Sequence, residues 1–288
     1  MDKDLAATQT DSEILEELLQ QAIFEGFVEV PMLPEVAGQA LSLAQDPEAS
    51  AAQMATLIER DQSLAGHVMR IANSVAYTPL ANLISLQQAV ARLGMNVMSE
   101  IALTAALSAK LFNTPGYEDY VEFNWQHAMA TSLWSKEIAK AANVNTEAAF
   151  LAGLLHSIGR PAVLQTVLEL ARQQDSSLMP ETVYRLENKY CQPVTELVVT
   201  RWGMPAQVRD SIKPYEQLDA GNESVKIAAA VHAGSRFATY MLDIAADDDK
   251  ESLVELEALE LLGLDENQVE KLLDNEALIQ QRLNVFMP

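Results

Sequence analysis

Apolar residues recur along this chain with a helical period almost from end to end. Ile14, Leu15, Leu18, Leu19, Ala22 and Ile23 make one stripe, introduced by Thr10 and Glu13 in capping-box spacing and closed by Gly26. Val30-Pro31-Met32-Leu33-Pro34 is an extended entry, since each proline disfavours helix in the residue before it, and Pro34 suits the first turn of a helix to about Ala44. Ser50 with Gln53 starts another, to Arg60. Asp61 caps a third, whose Leu64, Val68, Ile71 and Val75 share a face through about Ala76. Ser85 with Gln88 opens a short helix ending at Gly94, and a longer one runs from Asn96 to Phe112.

Thr114-Pro115-Gly116 is the clearest break. Beyond it, helices are predicted at 119–142, 146–158, 161–174 and 180–190, then 193–202 and 205–213, each of the last two with proline in its first turn. A polar loop at Asp219-Ala220-Gly221-Asn222 precedes a helix over 223–245, and two acidic helices near 253–262 and 266–285 finish the chain. No strand alternation, repeat or low-complexity tract competes. The expected fold is all-α, organised as an N-terminal helix (1–26), two helical subdomains (27–114 and 115–245) and acidic C-terminal helices (246–288).

Composition narrows the function classes. With 288 residues, 49% of them hydrophobic, the chain is large and apolar enough to bury a substantial core and is no disordered tail. A formal charge of −22 argues against a binder that tracks nucleic-acid phosphates. It predicts partners with a basic surface, held by interactions that weaken as salt rises. The single cysteine, Cys191, forms no intramolecular disulfide or cysteine-based zinc site, and no cationic run near it would lower its pKa. The N-terminus lacks the features of a signal peptide, and no apolar stretch reaches the ~18 residues that cross a bilayer. A soluble, cytoplasmic protein is expected.

Candidate chemistry centres on histidine. Three of the four histidines, His127, His156 and His232, lie on predicted helices of the second half, where neutral imidazoles from separate helices could converge on one metal; packing as core residues is the competing reading. Ser157 beside His156 makes no serine nucleophile, because adjacent helix positions point about 100° apart and no nucleophile elbow accompanies them. Met54, Met69, Met95, Met98, Met129 and Met241, at helical spacings, read as core filler, and Trp125, Trp134 and Trp202 as packing anchors. Asn73 is read as a helix cap, with a surface role for Asn73, Ser74 and Tyr77 as the alternative. The Asp247-Asp248-Asp249 run reads as a solvated loop without the alternating ligands of an EF-hand.

Several segments, in order, resemble the HDOD domain. They are Leu33-Pro34-Glu35-Val36, 58–64, Met69-Arg70-Ile71-Ala72-Asn73-Ser74, 84–94, Ala149-Phe150-Leu151-Ala152-Gly153-Leu154-Leu155-His156 and 196–205. The resemblance covers roughly Phe27 to Tyr240. It implies a bacterial signal-transduction module related to the HD and HD-GYP phosphohydrolases, whose metals are held by a helix histidine, a His-Asp pair and a later aspartate. On this sequence the resemblance places His127 at the first histidine and His156 at the pair's histidine. Ser157 and Ser235 stand at the aspartate positions, and Lys213-Pro214-Tyr215-Glu216 where paired histidines often occur. A serine hydroxyl is a poor ligand for a hard divalent ion and cannot bridge two metals. Bound water would also lack an obvious general base. The resemblance therefore implies a vestigial site, with no catalytic residue, no cofactor and a protein partner or regulatory ligand as the target. The alternative is a phosphohydrolase acting on a nucleotide or cyclic dinucleotide, with Zn, Fe, Mn or Mg at His127, His156 and His232. Arg160, near where relatives bind phosphate, is a candidate anion site, with a salt bridge as the competing reading.

Overall fold

The structure, a computed structural model, describes residues 2–78, 83–108, 111–176, 178–218, 222–244 and 249–287. Among them every regular element is helical. The first is α1 (Asp2–Glu25), which ends where Gly26 turns the chain with φ +74°. It already runs from Asp2, so the Thr10–Glu13 pattern does not mark its start. Then come α2 (Glu35–Ala44), α3 (Ala51–Ile58), α4 (Gln62–Ala72), α5 (Leu86–Leu93) and α6 (Met95–Ser108). The expected caps are in place: Ser50 and Gln53 form a reciprocal capping box, Asp61 accepts from Leu64 N–H, and Ser85 accepts from Gln88 N–H. Asn73 closes α4 and its side-chain amide also bonds both the N–H and the C=O of Leu83, at 2.7 and 2.9 Å.

The second half comprises α7 (Glu118–Ala141), α8 (Thr146–Leu155), α9 (Gly159–Gln173), α10 (Pro180–Arg201), α11 (Ala206–Ser211) and α12 (Ser224–Met241). The two helices predicted at 180–190 and 193–202 are one, with Pro193 inside it. A proline in a helix interior costs about 3 kcal/mol. Here Leu186, Tyr190, Val194 and Val198 hold one buried stripe against α9 across the proline, and that burial offsets the lost hydrogen bond. The acidic tail shows the reverse. Each predicted helix is divided in two, giving α13 (Lys250–Val254) and α14 (Glu257–Leu261), then α15 (Glu266–Leu273) and α16 (Glu276–Phe286). Asp249 and Asp265 each start a helix with a capping box. The rest of the Asp247–Asp249 run and most of the Asp219–Asn222 loop lie outside the described residues.

Helices α2–α6 pack on one another, and α7 packs chiefly against α8 and α12, with α10 on α9. The two groups are joined by the buried Glu100 of α6, which takes both carboxylate oxygens to Lys136 Nζ of α7 at 2.7 Å. Helix α16 reinforces that join. Arg282 bonds Glu137 of α7 at 2.8 Å, Phe286 meets Tyr77 edge-on, and Arg70 of α4 bonds the Val285 carbonyl at 2.9 Å. Helix α1 lies on α9 and α10. The extended entry is tied to the end of α10 by Arg201 on the Val28 carbonyl and by Trp202 Nε1 on the Pro31 carbonyl, both at 2.9 Å.

The core of the second group has unusually close helix contacts. Thr131, Ser132 and Ser135 of α7 are fully buried. Ser132 and Ser135 spend their hydroxyl protons on the Met129 and Thr131 carbonyls of their own helix, each at 2.7 Å, so they can be buried without an outside partner. Opposite them stand Gly153 of α8 and Gly234 of α12. A Cβ at Gly153 would lie 2.9 Å from Ser132 Cα, and one at Gly234 would collide with Ser135 Oγ and stand 2.8 Å from its backbone nitrogen. Around this contact Trp134 packs edge-on to Phe237 with ring centroids 5.3 Å apart.

Gly234→Ala is accordingly expected to lower the urea midpoint by the equivalent of about 1–3 kcal/mol through overpacking. Gly66→Ala, on an exposed face of α4 with nothing near its Cβ, is expected to be neutral or stabilising by up to ~1 kcal/mol. Equal effects of the two substitutions would refute the close-packing account.

Candidate functional site

The candidate site forms where α7, the turn between α8 and α9, α9 itself and α10 meet. Helix α8 stops at Leu155, and His156, Ser157 and Ile158 make the turn before α9 starts at Gly159. That glycine is required by packing, since a Cβ there would collide with the Cys191 carbonyl and stand 2.7 Å from the Thr195 nitrogen of α10. Thr195 Oγ1 accepts the Gly159 N–H at 3.0 Å, which anchors the turn.

His127 and His156 come together with ring centroids 5.8 Å apart. His156 Nδ1 lies 2.7 Å from the Gly153 carbonyl and must donate to it, which leaves Nε2 with its lone pair free of a proton. His127 Nε2 lies 3.1 Å from Thr239 Oγ1, whose own proton goes to the Ser235 carbonyl at 2.9 Å, so Nε2 carries the His127 proton. Burial holds the His156 pKa down to about 3, with the neighbouring His127 and Arg160 acting in the same direction. Burial also lowers that of His127, against a bond to the Ser235 backbone. The pair is therefore neutral at physiological pH.

His232 is not part of this pair. It is exposed on α12 and stacks edge-on against Tyr215, 5.4 Å between centroids. Ser157 is buried in the turn, and Ser235 is half-buried on α12, where its carbonyl serves Thr239. Among the described residues no group of three or more His, Cys, Asp or Glu side chains is placed to hold a metal ion. Two neutral imidazoles without a carboxylate ligand beside them are a poor set for a hard divalent ion.

The structure adds two residues that sequence reasoning missed. Glu187 of α10 is fully buried, accepts a hydrogen bond from the Tyr120 hydroxyl of α7, and lies 3.8 Å from Arg160 of α9. Its other carboxyl oxygen is buried with no hydrogen-bond partner. Burial pushes the Glu187 pKa up to about 7, against the Tyr120 bond and the Arg160 charge. Tyr120 is pushed up to about 12, by burial first and then by Glu187. Burial also raises the thiol pKa of Cys191, which is far from a reactive thiolate. The missed signal was periodicity, since Glu187 occupies the α10 stripe of Val183, Leu186, Tyr190 and Val194, where an apolar residue is the norm. Arg160, about one-third exposed, faces this group, and its ion-pair partner there is a carboxyl that is largely neutral below pH 7.

A family model described as the HDOD domain matches residues 30–218. The chain belongs to the HDOD family. Solved structures of similar fold include an HDOD domain protein of unknown function from Geobacter sulfurreducens, at 22% identity and TM-score 0.72, covering 95% of this chain and 97% of that one. Another is a protein from Shewanella amazonensis SB2B provisionally described as a metal-dependent phosphohydrolase, at 20% identity and TM-score 0.70, covering 95% and 99%. A third, provisionally described as a signal transduction protein, comes from Marinobacter aquaeolei VT8, at 22% identity and TM-score 0.66, covering 96% of this chain and 67% of that one. At these identities the likeness extends to the HDOD fold alone. No curated protein matches the chain.

Within this HDOD site two groups pull stability in opposite directions with pH. Glu187, raised from 4.5 to about 7, contributes stability that is full below pH 4.5 and lost as pH rises through 7. His156, lowered from 6.5 to about 3, contributes stability present above pH 6.5 and lost as pH falls toward 3. Glu187→Gln keeps an acceptor for Tyr120 and removes the first contribution alone. The variant is expected to gain on the parent as pH rises, by on the order of 3 kcal/mol between about pH 4.5 and 7. Parallel curves of urea-unfolding free energy against pH for the two proteins would contradict a neutral buried Glu187.

Proposed function

We propose that this HDOD protein is a non-catalytic signal-transduction module of the bacterial cytoplasm, acting by binding a protein partner or a regulatory ligand. The observation that carries this reading is the composition of the HD-type site. His127 and His156 are kept, neutral and packed together, while serine replaces both aspartates and His232 is turned to Tyr215. The hydrolytic metals of the HD relatives draw on carboxylate ligands and a water with a nearby base, and this set offers neither. Two further features support the reading. No helix among the described residues is long and apolar enough to cross a membrane. The charge of −22 favours a partner with a basic patch.

The test is elemental analysis and phosphodiesterase assay of protein purified without chelator. The expected result is no stoichiometric Zn, Fe, Mn or Mg and no turnover of bis(4-nitrophenyl) phosphate or cyclic dinucleotides, with His156→Ala unchanged in both respects. Stoichiometric metal that is lost in His156→Ala, together with turnover, would establish the phosphohydrolase instead.

A further inference from the structure

Three of the four most exposed large hydrophobic side chains among the described residues fall at one turn, where α1 gives way to the extended entry. Phe24, Phe27 and Met32 are 92%, 72% and 88% exposed. Apolar side chains scattered singly over a surface are ordinary, whereas a group of them marks an interaction site. The backbone that presents these three is held in place. The Gly26 and Phe27 N–H groups return to the Ile23 and Ala22 carbonyls at 3.2 and 2.7 Å, closing α1 on a left-handed glycine. In such a cap the residue after the glycine often packs back on its own helix, but Phe27 stays largely in solvent. Val28 is buried between exposed Phe27 and exposed Glu29, and Arg201 and Trp202 of α10 hold the Val28 and Pro31 carbonyls.

The charge around this patch has one sign along the chain, since no Lys or Arg occurs from Asp4 to Glu59. Glu13, Glu17 and Phe24 share one face of α1, being four and then seven residues apart. Glu25 and Glu29 flank the turn itself. All four carboxylates are exposed and none makes an ion pair; Glu25 and Glu29 accept only from the Gln21 and Gln165 amides, at 2.9 and 2.8 Å. The cations of α10 that come to this side are turned inward. Arg185 and Lys189 are taken by Glu16, and Arg201 by the Gly26 and Val28 carbonyls. An apolar patch edged by unpaired carboxylates sets carboxylate against carboxylate with a second copy of the chain, and it repels an anionic bilayer. It complements a helix that carries Lys or Arg beside an apolar stripe, and carboxylates at helical spacing match cations at helical spacing on a helix laid alongside.

We propose that this face docks a basic amphipathic helix of a partner protein, its apolar stripe on Phe24, Phe27 and Met32 and its cations at Glu13, Glu17, Glu25 and Glu29. The assignment rests on the partner-binding side of the proposed function and gives that partner a place and a chemistry. Net charge alone would hold a basic partner anywhere on the surface; the apolar group fixes where.

Fluorescence anisotropy of the full chain with two labelled helix-forming peptides tests it: LKKLLKLLKKLLKL and its counterpart with Glu for every Lys. The Lys peptide is expected to bind, on the order of tenfold more weakly at about 300 mM than at about 50 mM NaCl, and the Glu peptide not to bind. Phe24→Ser with Phe27→Ser and Met32→Ser is expected to weaken the Lys peptide on the order of tenfold or more. Val75→Ser with Ile84→Ser, at the exposed apolar pair elsewhere, is expected to leave it unchanged. Glu13→Gln with Glu17→Gln and Glu25→Gln is expected to flatten the salt dependence, and it decides the matter if the triple serine variant does not fold. No binding of the Lys peptide, or equal binding by the parent and the triple serine variant, would overturn the proposal. So would a parent dimer in sedimentation that the triple serine variant dissociates, which would give the face to a second copy. Any of these failures leaves the non-catalytic reading to the metal and turnover assays, which fail independently of it.

Discussion

The close approach of α7 to α8 and α12 is the constraint on which the rest of the second half depends. At Gly153 and Gly234 the partner helices come so near to Ser132 and Ser135 that a single methyl group has no room. Packing at that distance sets the rotation and register of three helices at once, because side chains on a helix face cannot slide past a backbone contact without losing it. Its consequences reach the site directly. The same three helices carry His127, Ser235 and the residues leading into His156, and the Gly159 contact with α10 brings Glu187 and Cys191 against the same turn. Serine suits α7 at the contact because it is small and satisfies its hydroxyl on its own helix.

What that packing builds is a buried and nearly uncharged centre in a strongly acidic protein. Burial keeps two imidazoles neutral and raises one carboxyl, Glu187, to a pKa of about 7, with Arg160 facing it. The excess of acid lies elsewhere, on helix faces and in the short C-terminal helices.

The C-terminal helices lie beyond the family match at residues 30–218, yet they belong to the same packed structure. Helix α16 bonds α4 through Val285 and α7 through Arg282, while α14 packs on α12. Their acidity therefore decorates a structural seam between the two helical groups.

Much of the local structure was legible from residue order. The capping pairs at Ser50, Asp61 and Ser85, the stop at Gly26 and the all-helical pattern depend on interactions within a few residues, which sequence spacing records. The serines at positions 157 and 235 were also legible, since residue type alone limits what a metal could use. Three features were not. Helix α10 runs through Pro193 because distant core contacts outweigh a local breaker. His232 faces Tyr215 while His127 meets His156, because the rotation of α12 is set by Gly234 against Ser135. Glu187 becomes a neutral, buried acid because helices from other parts of the chain exclude water from it. Sequence by itself determined most of the helices and their caps; tertiary structure decided which side chains share a dry interior, because burial is a property of neighbours far apart along the chain.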